Sequence, residues 1–371
     1  MTAPPTWTSR IHLDKLTGVR FLAAILVVLF HFTPPVQERM PVVLQNLLSN
    51  GFVGVSFFFV LSGFILTYSY ATPSGMRGSD RTFWWARFAR IYPLYLLALA
   101  MKFPVYFVKG EYSSYLDAAI DFLSSVFLVQ AWIPTSVGGI NPPGWSLSAE
   151  AFFYLLFPFI LPIIQRTKIN FTSIIFALWL ASFLPVYLLH SNGIISDETA
   201  YYLPLFHLPQ FVIGVLFGWV MVSSPTGHFA TISKKISSII ALGILIILAF
   251  TRMPMSTLNN GILAPLFGIL FIGLAQGMSR ASWLGSSGMV LLGQASFGIY
   301  ILQMPVGSWF KYLSGLGSGE LNGSQILIYI AVLIIFSILA FKFFEQPLQK
   351  LIMRIVKSRS DAEKKGTLAE H

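Results

Sequence analysis

The sequence contains no cysteine among its 371 residues, which excludes disulfide frameworks, thiolate nucleophiles and zinc–thiolate sites. Charge is also scarce. Only 10% of residues are charged, against roughly 25% in an ordinary soluble domain. The six histidines and fourteen carboxylates are scattered, without the His-x3-His spacing that presents two metal ligands on one helix face, so no metal site is expected. Hydrophobic runs fill the chain instead: 55% of residues are hydrophobic and mean hydropathy is +0.73. Such a chain reads as an all-α polytopic membrane protein.

Apolar segments long enough to span fall near 16–33, 52–70, 91–108, 144–165, 171–189, 204–222, 236–250, 261–278, 289–310 and 325–344. The first follows Arg10, Lys15 and Arg20 in the manner of a signal peptide. However, His31 and Pro34-Pro35 come next and no small-residue cleavage site appears, so it reads as a retained helix. An eleventh stretch, 116–133, carries Asp117 and Asp121, and counting it as a span reverses the orientation of everything after it. The distribution of Lys and Arg decides. With 116–133 held at the outer face as a surface or re-entrant helix and both termini cytoplasmic, 19 of the 24 Lys and Arg lie on the inner side, including Arg166, Lys168 and the cluster from Lys342 onward. The formal charge of +10 is thus distributed between spans rather than gathered for nucleic acid. The expectation is ten transmembrane helices around a central cavity. One integral-membrane domain covers 1–350, and 351–371 forms a polar cytoplasmic tail, disordered at its end and drawn to anionic lipid.

The ionisable residues inside this greasy chain are its most informative feature. In RFLAAILVVLFH, Arg20 and His31 flank ten unbroken apolar residues, only half of what a crossing helix needs. Eleven residues at about 100° each bring the two side chains to one face, about 16 Å apart along the axis. Intramembrane Arg and His are costly and mark a functional site by default. In RTFWWARFARIYP, Arg87 and Arg90 are adjacent on a helical face. They repel unless an anion lies between them, and guanidinium forks suit phosphate; an interfacial helix resting on lipid phosphate gives the same pattern.

In NPPGWSLSAEAFFYLLFP, Ser146 or Ser148 is placed to cap the fourth span. Glu150 then lies about 9 Å down that helix, near the level of His31, where a carboxylate orients a histidine in many general-base arrangements. Tyr300 and Gln303 in SFGIYILQMP offer polar contacts, while GVLFG at Gly214–Gly218 and Ser62-Gly63 read as helix packing. His12, His190, His207, His228 and His371 read as solvent or interfacial histidines.

Taken together, LTGVRFLAAILVVLFH, GFVGVSFFFVLSGFIL, ARFARIYPLY, GWSLSAEAFFYLLFP, LPQFVIGVLFG, SFGIYILQMP and the closing FFEQP, in that order, resemble the acyltransferase-3 family of bacterial integral-membrane acyltransferases. The resemblance implies ten helices with both termini inside, in the bacterial inner membrane. It makes His31 the family's essential histidine and Arg20 its partner on the first helix, and it associates Arg87 and Arg90 with an acyl-CoA donor. Where the family commonly has a second histidine this chain has Gln303, so a second catalytic imidazole is not carried over.

The implied activity is transfer of an acyl group, acetyl foremost, from cytoplasmic acyl-CoA to a hydroxyl of a cell-surface or exported carbohydrate, free or lipid-linked. His31 would act as general base and Glu150 would steady the imidazolium, with Trp145, Ser148, Tyr300 or Gln303 contacting the acceptor or the oxyanion. Acyl-CoA is a co-substrate, and no permanently bound cofactor, metal or nucleic acid is expected. The residues also allow a transporter, flippase or polymerase of lipid-linked saccharides, which would surround a membrane cavity with the same arginines and aromatics. Oligomeric state and acceptor identity stay open.

Overall fold

A computed structural model describes residues 13–369 apart from 73–74, 111, 168–169, 253–258 and 318, with the helical backbone alone for 359–369. Arg10, His12, Lys168 and His371 lie outside the described residues. Among the described residues the protein is all-α apart from a two-residue antiparallel pairing of Ala71–Thr72 with Gly75–Met76. Among the described residues eight helices are long and apolar enough to cross a membrane, and two bent pairs, Ala264–Ala275 with Ser279–Gly285 and Ser287–Gln294 with Ser296–Leu313, make up to ten if each pair is one span.

These spans coincide with the ten apolar segments, with differences at their ends that have local causes. The third span begins at Asp80, well before position 91, because the Ser79 side chain accepts a hydrogen bond from the Thr82 N–H and Asp80 occupies the first turn, both favourable at a helix start. The helix then runs unbroken through Arg87 and Arg90 to Lys109, about 45 Å at 1.5 Å per residue, so the arginine pair rides on a spanning helix and not on a separate interfacial one. The fourth span starts at Trp145 behind a 3-10 turn over Pro142–Gly144. Neither Ser146 nor Ser148 caps it: Gly144 is the capping residue, and no side chain bonds the first turn.

The stretch at 116–133 does not cross. It forms the helix Tyr115–Val126 and then two 3-10 turns, and twelve residues reach only about 18 Å. Tyr115, Leu116, Leu123 and Phe127 are exposed on it. One π turn over Phe341–Glu345 leads from the tenth span into the helix Gln346–Ala369, which packs along the third span. Leu348, Leu351, Ile352 and Ile355 alternate there with Lys350, Arg354 and Lys357, an amphipathic pattern that sustains a helix.

In hydrocarbon, helices gain no hydrophobic drive from touching one another, so close approach and van der Waals packing hold a bundle together. The second and sixth spans show this most clearly. A Cβ on Gly63 would lie 2.1 Å from the Phe211 carbonyl oxygen, and one on Gly214 would lie 2.0 Å from that of Val60, so hydrogen is the only side chain that fits either crossing. The second span is the most buried of the eight single-helix candidates, and besides the sixth it packs against the first and eighth spans. Outward faces carry exposed Phe176, Leu242, Leu245, Leu327 and Ile335, as a lipid-facing surface requires.

Candidate functional site

Two cavities occupy the middle of the bundle. The smaller, about 130 Å³, is lined by Arg20, Arg87, Arg90, Glu150, Tyr154 and Ser62 together with apolar residues of the second span. The larger, about 660 Å³, is lined by His31, Phe30, Phe52, Trp145, His190, Asp197, Glu198, Tyr201, Tyr202 and Met304. Val55 and Tyr300 line both. The first helix therefore presents Arg20 to one cavity and His31 to the other, on the shared face that the spacing of eleven dictates.

In the smaller cavity three guanidiniums converge. Arg90 is ion-paired with Glu345, which is 1% exposed; the π turn carries this carboxylate inward at the break before the last helix. Arg87 donates to the Tyr70 hydroxyl at 3.3 Å and lies 5.6 Å from the centre of that ring, while its Nε is buried without a partner. Arg20 makes no hydrogen bond to the described residues and turns its charge to the cavity. Glu150 accepts from the Tyr154 hydroxyl at 2.9 Å, and that hydroxyl also accepts from Ser62 at 3.2 Å. Ser62 is thus part of the site, whereas its neighbour Gly63 serves packing.

The expected pairing of Glu150 with His31 is not what the structure holds. The carboxylate lines the arginine cavity, and the imidazole lines the other. His31 instead places Nδ1 3.0 Å from Gln303 Oε1 and 3.0 Å from the Val27 carbonyl oxygen. Without the Ser146 cap, the fourth helix already begins at Trp145, and the turn from Pro142 aims Glu150 at the first helix near Arg20. Ser148 is buried with its hydroxyl unpartnered and lines neither cavity. Tyr300 stands at the junction, its hydroxyl 2.8 Å from Ser146 Oγ and 3.2 Å from the Pro143 carbonyl oxygen.

Trp145 packs against Tyr201 and Tyr202 at ring-centre separations of 5.4 and 5.3 Å. His207 is not a solvent histidine: it is fully buried, hydrogen-bonded to the Tyr201 carbonyl and to Gln210, and packed on Trp145. His190 sits at the rim, 2.5 Å from Asp197.

Sequence reasoning missed the rim residues Asp197, Glu198, Tyr201 and Tyr202 and the anchor Glu345. The run SDETAYYLP does carry a usable sign, since Ser196 caps a short acidic helix immediately before a span.

A family model described as an acyltransferase domain matches residues 13–342. Acyltransferase MdmB of Streptomyces mycarofaciens is 28% identical over 93% of this chain and 93% of its own length. O-acetyltransferase OatA of Staphylococcus aureus is 25% identical over 91% of this chain, which spans 57% of that protein. A putative O-acetyltransferase, SAR0937 of Staphylococcus aureus, is 24% identical over 94% of this chain and 59% of its own length. No solved structure matches. With the family model covering nearly every span and both cavities, the chain belongs to the acyltransferase-3 family of membrane acyltransferases.

Proposed function

We propose that this membrane O-acyltransferase moves an acyl group, acetyl foremost, from cytoplasmic acyl-CoA to a hydroxyl of a cell-surface or exported carbohydrate, with His31 as general base. One observation carries the reading: the arginine cavity and the histidine cavity abut across Val55 and Tyr300. A donor with phosphates and an acceptor with hydroxyls can then approach one point from opposite sides.

The smaller cavity supplies what a nucleotide thioester needs. Arg87 offers a fork to phosphate and Arg90, with one terminal nitrogen held by Glu345, adds its remaining N–H groups, while Arg20 on the His31 helix lines the same cavity. The arginine side is taken as the cytoplasmic face of the bacterial inner membrane, as the distribution of Lys and Arg requires. The pantetheine arm runs along the first helix and brings its thioester between Val55 and Tyr300. The larger cavity suits a sugar: Phe52, Trp145, Tyr201 and Tyr202 offer apolar ring faces, while Asp197 and Glu198 accept hydrogen bonds from hydroxyls.

In the transfer, an acceptor oxygen attacks the thioester carbon as His31 takes its proton. The C–S bond breaks as the C–O bond is completed, and the proton passes to the departing thiolate to give free CoA. Tyr300 lines both cavities, and its hydroxyl, on turning its one proton away from Ser146 and the Pro143 carbonyl, is the candidate donor to the oxyanion. Glu150 serves the donor side, balancing charge near Arg20 instead of steadying the imidazolium. Two measurements test this. Acetyl-CoA should protect the detergent-solubilised protein against heating, and mass spectrometry of surface glycans from a strain lacking the gene should show loss of an acyl group. Protection by a lipid-linked glycan alone, with unchanged glycans, would favour a flippase.

A further inference from the structure

Nδ1 of His31 faces two oxygens, the Val27 carbonyl and Gln303 Oε1, each at 3.0 Å. A carbonyl oxygen only accepts. The orientation of the Gln303 amide is fixed independently of His31, because its Nε2 donates to the Tyr300 carbonyl oxygen at 2.7 Å; turning the amide over would set two oxygens against each other. Both groups facing Nδ1 are therefore acceptors, and Nδ1 must carry the hydrogen. In a neutral imidazole that leaves the lone pair on Nε2, which makes no hydrogen bond to the described residues in a ring that lines the larger cavity.

Gln303 is itself held in place. It is fully buried, and its backbone carbonyl accepts from the buried Tyr329 hydroxyl at 2.8 Å. We infer that Gln303 is a positioning residue that holds His31 in the tautomer with hydrogen on Nδ1 and a basic Nε2 turned to the acceptor. This rests on His31 being the general base. A neutral amide does here what a carboxylate does in a serine-protease triad, fixing tautomer and ring orientation without adding a second buried charge. The chemistry also says which substitute would serve. An imidazole at 303 offers one accepting and one donating nitrogen, the same pair of roles as the amide, whereas leucine offers neither.

The test combines spectroscopy with kinetics. In ¹⁵N-histidine-labelled protein in nanodiscs, the ring signals that vanish in His31→Ala should show a protonated Nδ1 and an unprotonated Nε2. In Gln303→Leu they should show a mixture of tautomers. With acetyl-CoA as donor and a cell-envelope glycan extract as acceptor, thiol release should fall at least about 10- to 100-fold in kcat for Gln303→Leu, the loss seen when the outer hydrogen-bond partner of a metal-bound histidine is removed. The KM for acetyl-CoA should stay unchanged, and Gln303→His should restore most of the rate.

An unprotonated Nδ1 in the wild-type spectrum overturns the inference whether or not the leucine variant folds. A full rate in a folded Gln303→Leu protein, judged by protection with acetyl-CoA, overturns it as well. If His31→Ala keeps its transfer rate, the assignment of the base fails first and this inference with it; an inactive His31→Ala beside a fully active Gln303→Leu removes the inference alone.

Discussion

The hydroxyls of Tyr300 and Ser146 lie 2.8 Å apart where the two cavities abut, so the ninth span is tied to the start of the fourth at that junction. Removing only the hydroxyl, in Tyr300→Phe, should leave the ring in place and lower kcat by about 100-fold, the loss typical of one oxyanion donor, with KM for acetyl-CoA unchanged. Tyr300→Ala should instead join the cavities and admit water. Hydrolysis of acetyl-CoA without acceptor should then rise, as measured by thiol release.

Arg87 has a buried Nε without a partner and a terminal nitrogen held by Tyr70. Its guanidinium also lies over the Tyr70 and Phe83 rings, which leaves the Nε edge for the phosphate proposed above. Arg87→Ala should weaken acetyl-CoA binding by about tenfold, roughly 1.4 kcal/mol, in a calorimetric titration, and the melting temperature without ligand should be little changed.

Arg90 differs, because Glu345 neutralises it inside the protein. Breaking such a pair strands a buried charge and costs about 3 to 5 kcal/mol. Glu345→Ala and Arg90→Ala should each lower thermal stability markedly. The double variant should lose much less than the two single losses added together, as a double-mutant cycle in one detergent would show.

The crossing of the second and sixth spans admits no Cβ. Gly214→Ala, which sets a methyl 2.0 Å from a backbone oxygen, should reduce the yield of monodisperse protein sharply in size-exclusion chromatography. Gly243→Ala, with nothing within 4 Å of the added atom, should behave as wild type.

Much of this architecture is legible in the sequence because membrane spans are set by local hydropathy and length. The same local arithmetic puts Arg20 and His31 on one face, whereas keeping 116–133 out of the membrane took the distribution of Lys and Arg over the whole chain. The GVLFG stripe likewise announces a close contact, though not which helix it meets. The legible part ends where partners are distant in the chain. His31 meets a residue 272 positions away and Arg90 one 255 positions away, pairings that depend on how spans rotate and tilt against each other. Glu150 shows the limit well. Helix rise alone set it near the level of His31, yet it lines the cavity of Arg20, because how the fourth span tilts and rotates against the first decides whether it meets an imidazole or a guanidinium. Ser79 shows another, since a cap on a polar loop lengthened the third span into a region that composition assigns to a connection.

The most direct test follows label from acetyl-CoA to the acceptor in His31→Ala reconstituted in proteoliposomes with a cell-envelope glycan extract. No label should reach the glycan, while acetyl-CoA still protects the variant against heating, because the arginines proposed to bind it line the other cavity. Labelled glycan at a rate near that of the wild type would contradict the assignment of the buried imidazole as the base.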